Sequence, residues 1–251
     1  MLCAHVGFIK AEAMREFKDC YIAYLDILGF KALLRKQRNN LCEYICKLFD
    51  QMQEDYYAKV NITDKYLVDP AFLKKKIMSD SICFYVEASV TNALAGLIAT
   101  CNYFQVRLSR QDDPLLVRGA IARGKLYAEN DILFGQGVVD AYLMEEKSAN
   151  YPRIILTKAL IKHCSNLDEY GRDYIKKFTF DDDDAFVTVD YLYLFYGLSH
   201  EREDWKRFAT FVFNMVEEAD VSIKEKYLYL QRNIKRAIKK HKDYEDPAMK
   251  P

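Results

Sequence analysis

Apolar residues fill nearly every position from Tyr21 to Leu25, and the run ends on a carboxylate, Asp26. Such a run predicts a buried strand over residues 20–26 that delivers one acid to its tip. A tight turn containing Gly29 follows. From Phe30 to about residue 57 the positions Leu33, Leu34, Leu41, Tyr44, Ile45, Leu48, Phe49 and Met52 recur at helical spacing, which predicts a long helix. Residues 1–19 read as a short lead-in. Over residues 73–87 the pattern changes to period two: Ile82, Phe84 and Val86 alternate with Ser81, Cys83 and Tyr85. That alternation predicts a hairpin, with Ser79-Asp80 at its bend.

Residues 89–110 predict a second amphipathic helix, capped by Ser89. Pro114 separates it from a strand over 115–123. Gly124 and Asn130-Asp131 punctuate a loop, and Gly135-Gln136-Gly137 opens a third helix over about 138–148. Pro152 precedes a strand at 153–157, and a short helix follows at 158–164. Beyond the acidic run Asp181–Asp184, residues 185–192 predict one more strand. Two helical segments, about 202–218 and 219–242, complete the pattern. Strand, helix, hairpin, helix, strand, helix, strand is an α+β order, with helices packed on a sheet. The expected division is a lead-in at 1–19, a domain at 20–200 and a helical extension at 201–251.

Charge alters this picture little. Of 251 residues, 51% are hydrophobic and 29% charged, and 37 Lys plus Arg balance 37 Asp plus Glu. The balance points to neither nucleic acid nor membrane as a partner. The sequence holds no apolar run of 18 residues and no secretory pattern, and its seven Cys are scattered, so reduced thiols and a cytoplasmic location are expected. The acidic run reads as a solvated loop, because the spacing and glycine of a calcium loop are missing. The basic residues of the last helix, Lys224, Lys226, Arg232, Lys235, Arg236, Lys239 and Lys240, read as a solvated face, with nucleic-acid or partner contact the minority reading.

The chemistry lies in Asp26 and Asp80. Taken singly, Asp26 is a helix cap and Asp80 a turn residue. Together they are two carboxylates at strand ends that a sheet would bring side by side. Hard oxygen donors suit Mg²⁺ or Mn²⁺, and two ions held by Asp26, Asp80 and the Ile27 carbonyl would serve nucleotidyl transfer. The turn Ile27-Leu28-Gly29-Phe30 precedes a helix, so its free N–H groups would face a triphosphate, with Gly29 keeping the backbone close.

These stretches also carry a resemblance. Tyr24-Leu25-Asp26-Ile27-Leu28-Gly29-Phe30 resembles the first metal motif of the class III nucleotidyl cyclases, and Lys76-Ile77-Met78-Ser79-Asp80 resembles their second, with Ser79 where the family has Gly. Val117 to Gly124 is similar to their Arg-x-Gly-Ile-x-x-Gly strand, and Phe134 to Glu145 to their Gly-x-x-Val-Asn-x-Ala-x-Arg-x-Glu helix. The resemblance spans residues 20–160. It implies a ferredoxin-like class III cyclase catalytic domain with a mixed or antiparallel sheet, two Mn²⁺ or Mg²⁺ ions, a nucleoside triphosphate substrate, and a homodimer with its site at the interface. It also implies roles: Asp26 and Asp80 in catalysis, Lys76 at the base, and Ile27 to Phe30 at the nucleotide.

The departures are specific. The family's transition-state Asn and Arg fall on Val139 and Leu143, and its adenine-selecting acid falls on Ile132, beside Asp131. Arg118 is the candidate replacement guanidinium, with a structural ion pair the equal alternative, and Arg123 a weaker candidate. Tyr142 is a candidate base contact, although core packing is favoured for it. The departures are most similar to the pyrimidine cyclases of bacterial Pycsar anti-phage systems, which turn CTP or UTP into a 3′,5′-cyclic nucleotide for a separate effector. The rival readings are a catalytically degenerate cyclase fold that binds a nucleotide or partner, and a palm- or diguanylate-type transferase, whose hairpin motif Met78-Ser79-Asp80-Ser81 matches poorly.

Overall fold

The computed structural model describes residues 16–35, 43, 46, 68–198 and 202–245. Strand β1 (Lys18–Leu28) leads through Gly29 into helix α1, which begins at Phe30 and is described as far as Arg35. The remainder of the predicted helix to residue 57, and the lead-in before residue 16, lie outside the described residues. Then come β2 (Lys74–Met78), β3 (Ser81–Glu87), helix α2 (Ala93–Ser109) and β4 (Leu116–Glu129). These strands lie in the order β2-β3-β1-β4, and every neighbouring pair is antiparallel. A βαββαβ chain in that order is the ferredoxin-like split βαβ arrangement.

A second group of elements extends this core. The short β5 (Ile132–Phe134) folds back on β4, and helix α3 (Gln136–Ser148) follows. Strand β6 (Ile154–Thr157) runs parallel to β4. Helices α4 (Lys158–Lys162) and α5 (Glu169–Phe178) lead to β7 (Thr179–Asp181) and β8 (Phe186–Val189), which continue the order as β6-β8-β7. Among the described residues this makes one eight-stranded mixed sheet. Helices α6 (Tyr191–Gly197), α7 (Arg202–Glu218) and α8 (Val221–Glu245) complete the fold. It is the expected α+β arrangement of a mixed sheet with packed helices.

Alternation along the strands builds two cores. Tyr21, Ala23, Leu25 and Ile27 of β1, with Ile82, Phe84 and Val86 of β3, face the side covered by α2. Cys20, Ile22 and Cys83, with Leu126 of β4, meet Ala141 of α3 on the other side. Asp26 shares the parity of Ile22 and therefore falls on the α3 face. Helix α3 lies unusually close to the sheet there. A Cβ built on Gly124 would stand 2.7 Å from the Gly137 Cα, and one built on Gly137 would stand 2.5 Å from Ile22 Cδ1. Only glycine at both positions permits that approach.

Several boundaries differ from the sequence reading. Gly124 lies inside β4, not in a loop, because it makes this close contact. Helix α2 begins at Ala93 behind Asn92, whose φ is 59°, so Ser89 is not its cap. It is buried almost all round instead of amphipathic, since α5 and α6 cover the side away from the sheet. Helix α5 and β7 occupy a stretch given no element from the sequence; Asp168 caps α5 by accepting from the Gly171 N–H at 2.8 Å. The strand predicted to run to residue 192 stops at Val189, where Asp190 caps α6 by accepting from the Tyr193 N–H.

The C-terminal helices are fastened by buried charge. Asp190 is fully buried and receives both Arg236 guanidinium nitrogens, at 3.0 and 2.6 Å, and the Lys240 ammonium at 3.0 Å. Arg236 also stacks over Phe180 at 3.6 Å. Asp182, with a side chain only 5% exposed, receives Arg153 at 2.6 Å and the Tyr229 hydroxyl at 2.6 Å. Burial opposes the charge on Asp182, yet Tyr229, the Asp183 N–H and Arg153 together hold its pKa below the ordinary carboxylate range. Both sequence readings are therefore corrected. The acidic run is in part a buried anchor, and the basic helix supplies counter-charges from one face at a spacing of four: Arg232 to Asp183 of the run, and Arg236 and Lys240 to Asp190 beyond it.

Candidate active site

The site forms where the ends of β1 and β4 meet the β2–β3 bend. In register, Asp26 lies opposite Ser81 on β3 and opposite Arg118 on β4. The bend is tied to β1 directly, because the Ile27 N–H donates to the Asp80 carbonyl at 3.0 Å. Ser79 adopts the left-handed conformation, φ 58°, that the tight bend requires, although the residue is not glycine. The Tyr24 hydroxyl donates to Ser81 Oγ at 2.9 Å and braces the same bend. Asp80 is thus held at the bend beside β1, near enough for its charge to act on Asp26.

The electrostatics follow from this packing. Burial raises the Asp26 pKa above its ordinary value, the Arg118 hydrogen bond and charge oppose the rise, and the Asp80 charge adds to it. Arg118 donates from Nε to Asp26 Oδ2 at 3.2 Å, and the same nitrogen lies 2.7 Å from Glu145 Oε1. Glu145 comes from α3 and is almost wholly buried. Its Oε1 accepts no hydrogen bond of good geometry from the described residues, so the Arg118 contact is one of charge. Burial raises the Glu145 pKa, Arg118 opposes, and the Asp26 charge contributes further. One guanidinium therefore stands between two desolvated acids.

The remaining predicted residues divide. Ile27 is buried, and its side chain belongs to the α2-side core, leaving backbone atoms for the site. Gly29 has φ 78°, which favours glycine whatever the space around it. The Phe30 side chain is buried in the main core, not beside a nucleotide cleft, so it offers the site only its N–H at the start of α1. Leu28 packs against the core formed by the C-terminal helices. Lys76 sits on β2, where its ammonium contacts the Asn130 carbonyl and lies 3.7 Å from Asp131 in the β4–β5 turn. Arg123 is away from the acids, paired with Asp19 at 2.8 Å. Val139 and Tyr142 are exposed on α3, and Tyr142 meets Tyr24 edge-on with ring centres 5.5 Å apart, so core packing does not describe it.

Glu145 is the participant that sequence reasoning left without a role. Its signal was an acid at the position four after Ala141, on the same inward helix face. Among the described residues no group of three or more His, Cys, Asp or Glu side chains gathers as a metal cage. Two carboxylates with a neighbouring carbonyl are instead the donor set that leaves room for substrate oxygens.

No protein-family model matches the chain, and no curated protein matches it. Among solved structures it is similar to the guanylyl cyclase domain of the RhoGC fusion protein from the aquatic fungus Blastocladiella emersonii, at 15% identity over 70% of this chain and 96% of that one, with a TM-score of 0.45. It is also similar to the adenylyl cyclase CyaB from P. aeruginosa, at 14% identity over 70% and 96%, TM-score 0.43. A class III adenylyl cyclase-like ATP-binding protein from Pseudomonas aeruginosa matches at 9% identity over 75% of this chain and 40% of that one, TM-score 0.39. At these identities the likeness concerns the path of the chain, not its chemistry.

Proposed function

We propose that the protein is a metal-dependent nucleotidyl cyclase that converts a pyrimidine nucleoside triphosphate, CTP or UTP, to its 3′,5′-cyclic monophosphate and pyrophosphate. The observation that carries this reading is the pairing of Asp26 with Asp80 through the Ile27–Asp80 backbone bond, beside Arg118. Burial and the neighbouring Asp80 charge disfavour the ionised form of Asp26, and Arg118, shared with Glu145, offsets this only in part. Their hard oxygen donors fit Mg²⁺ or Mn²⁺. Asp26, Asp80 and the Ile27 carbonyl would hold the ions. Bound there, divalent metal lowers the pKa of an attacking hydroxyl and neutralises leaving phosphates.

The chain's own groups supply the rest. In the reaction the ribose 3′-oxygen bonds to the α-phosphorus, the bond from that phosphorus to pyrophosphate breaks, and the hydroxyl proton passes to solvent. Free N–H groups at the start of α1 favour the triphosphate, and Gly29 lets the backbone turn there. Arg118 offers a cation where phosphate charge accumulates, and Glu145 holds it in place. The pyrimidine assignment rests on Ile132, Val139 and Leu143 standing where the resembled family carries adenine-reading and transition-state residues. An exposed apolar strip of Ile132, Phe134, Val139 and Tyr142 supports a second copy as the partner that completes the site. A cyclic product would act on a separate nucleotide-binding effector, as in anti-phage signalling.

Incubation with each of the four nucleoside triphosphates and Mn²⁺, with products resolved by mass, tests the reading. Cyclic CMP or cyclic UMP with pyrophosphate is expected, falling by roughly two orders of magnitude or more in Asp26→Ala and in Asp80→Ala. No cyclic product from any triphosphate, in a folded protein that binds Mn²⁺ and dimerises, would instead establish a nucleotide- or partner-binding fold without turnover.

A further inference from the structure

An open cavity of about 340 Å³ lies between α3, β4 and the β6–α4 segment. It is separate from the acids. Asp26 pairs with Arg118, whereas the cavity includes Arg123, five residues along β4. At about 3.4 Å per residue this is roughly 17 Å away. Its floor is apolar, from Ala122, Met144 and Leu160, and its polar groups include Arg123, Asp140 and His163.

Those polar groups have defined capacities. Arg123 gives its Nε and Nη2 hydrogens to Asp19, at 3.2 and 2.8 Å, so its charge is already matched. Its Nη1 has no partner among the described residues. Asp140 Oδ1 accepts from Gln136 Nε2 at 2.7 Å, leaving Oδ2 as an acceptor. His163 Nδ1 stands 2.8 Å from the Ala159 carbonyl. A carbonyl only accepts, so Nδ1 carries the hydrogen and Nε2 remains the ring's other polar atom. The cavity thus combines a soft, adaptable floor with both donors and acceptors, and its one carboxylate charge, on Asp140, is met among the described residues only by the neutral Gln136 amide. An anion gains little there, and a hydrocarbon leaves the polar atoms unused. A flat uncharged heterocycle with donors and acceptors on its edge satisfies both, and the volume falls in the range of small-molecule sites.

We propose that this cavity is a binding site for an uncharged heteroaromatic molecule of nucleoside size with amino or amide donors on its edge. Its walls belong to the elements that carry the acids' shared cation. Met144 precedes Glu145 on α3, and Ala122 and Arg123 continue the strand of Arg118. The inference does not depend on the cyclase reading, because occupancy is measured directly.

Calorimetric titration with cytidine, uridine and adenosine, which lack the phosphates that would draw them to Asp26 and Asp80, tests it. At least one nucleoside should bind saturably to the wild-type chain and equally to the Asp26→Ala/Asp80→Ala double variant. Ala159→Trp, on an exposed rim position, should weaken it by at least about tenfold, or 1.4 kcal/mol. Asp140→Ala, also on the surface, should weaken it as a second variant, with circular dichroism reporting an intact fold for each. Absence of saturable binding by all three nucleosides overturns the proposal. So does binding that the double variant abolishes and the rim variants retain.

Discussion

Glu145 presents a cost that the fold sustains. A carboxylate whose folded pKa is raised binds its proton more tightly in the folded chain than in the unfolded one. Its ionisation therefore removes stability as pH rises from the unfolded value of 4.5 through the higher folded value. Asp26 acts in the same sense from 3.8 upward. Glu145→Gln should accordingly gain stability relative to wild type as pH increases across that window, then hold a constant difference above it. Urea midpoints measured from pH 4 to pH 8 check this; a difference that shrinks with rising pH contradicts it. Under the proposed function the same variant loses turnover at pH 7.5, because Arg118 is left with Asp26 alone. The rate should fall while the KM for the triphosphate changes less, the mark of a residue that positions another.

The seating of α3 on β4 is set by two glycines. Gly124→Ala forces a methyl against the Gly137 backbone, where no side-chain rotation relieves it. We expect a loss of about 1–3 kcal/mol, read from chemical denaturation, together with reduced activity at temperatures where the fold persists. A stability loss without any loss of activity would separate this contact from the site. This contact also shows what the chain alone made legible. The strand bearing Asp26, the hairpin bearing Asp80 and the two C-terminal helices follow from local periodicity, although β1 runs on past Asp26 to Leu28 and the last helix spans Val221–Glu245. Gly124 reads as loop punctuation in the sequence, because its reason for being glycine lies thirteen residues downstream, at Gly137. Glu145 was passed over for a similar cause: its partner comes from a strand, and only packing joins them. Helix α5 does carry an apolar repeat in Tyr174, Ile175 and Phe178, but over fewer than three turns of a highly charged stretch it does not stand out in the sequence. Helix α2 was foreseen but misjudged, since a helix covered on every side carries no polar stripe to announce its orientation.

The expected division at residue 200 separates acids from their counter-ions. Asp183 and Asp190 lie before it, and Arg232, Arg236 and Lys240 lie after it. Removing one member of a buried ion pair costs about 3–5 kcal/mol, because the survivor keeps its desolvation. Arg236→Met should therefore destabilise strongly, and Arg236→Met combined with Asp190→Asn should recover part of that loss in a double-mutant cycle followed by urea denaturation. Additive losses in the double variant would show that the two groups do not act as a unit. A chain shortened to residues 1–200 should fail to give a cooperative unfolding transition.

The same fastening gives synthesis a direction. Asp190 precedes Arg236 by 46 positions and Lys240 by 50. A ribosome adding 5–20 amino acids per second needs roughly 2–10 s to cover that interval. Throughout it, the junction of β8 and α6 carries an anion, Asp190, whose neutralising partners have yet to be made. The sheet edge formed by β8 and β7 therefore closes late, after translation of α8, and nascent chains arrested before residue 232 should be cut by protease at that edge while the β1–β4 core resists.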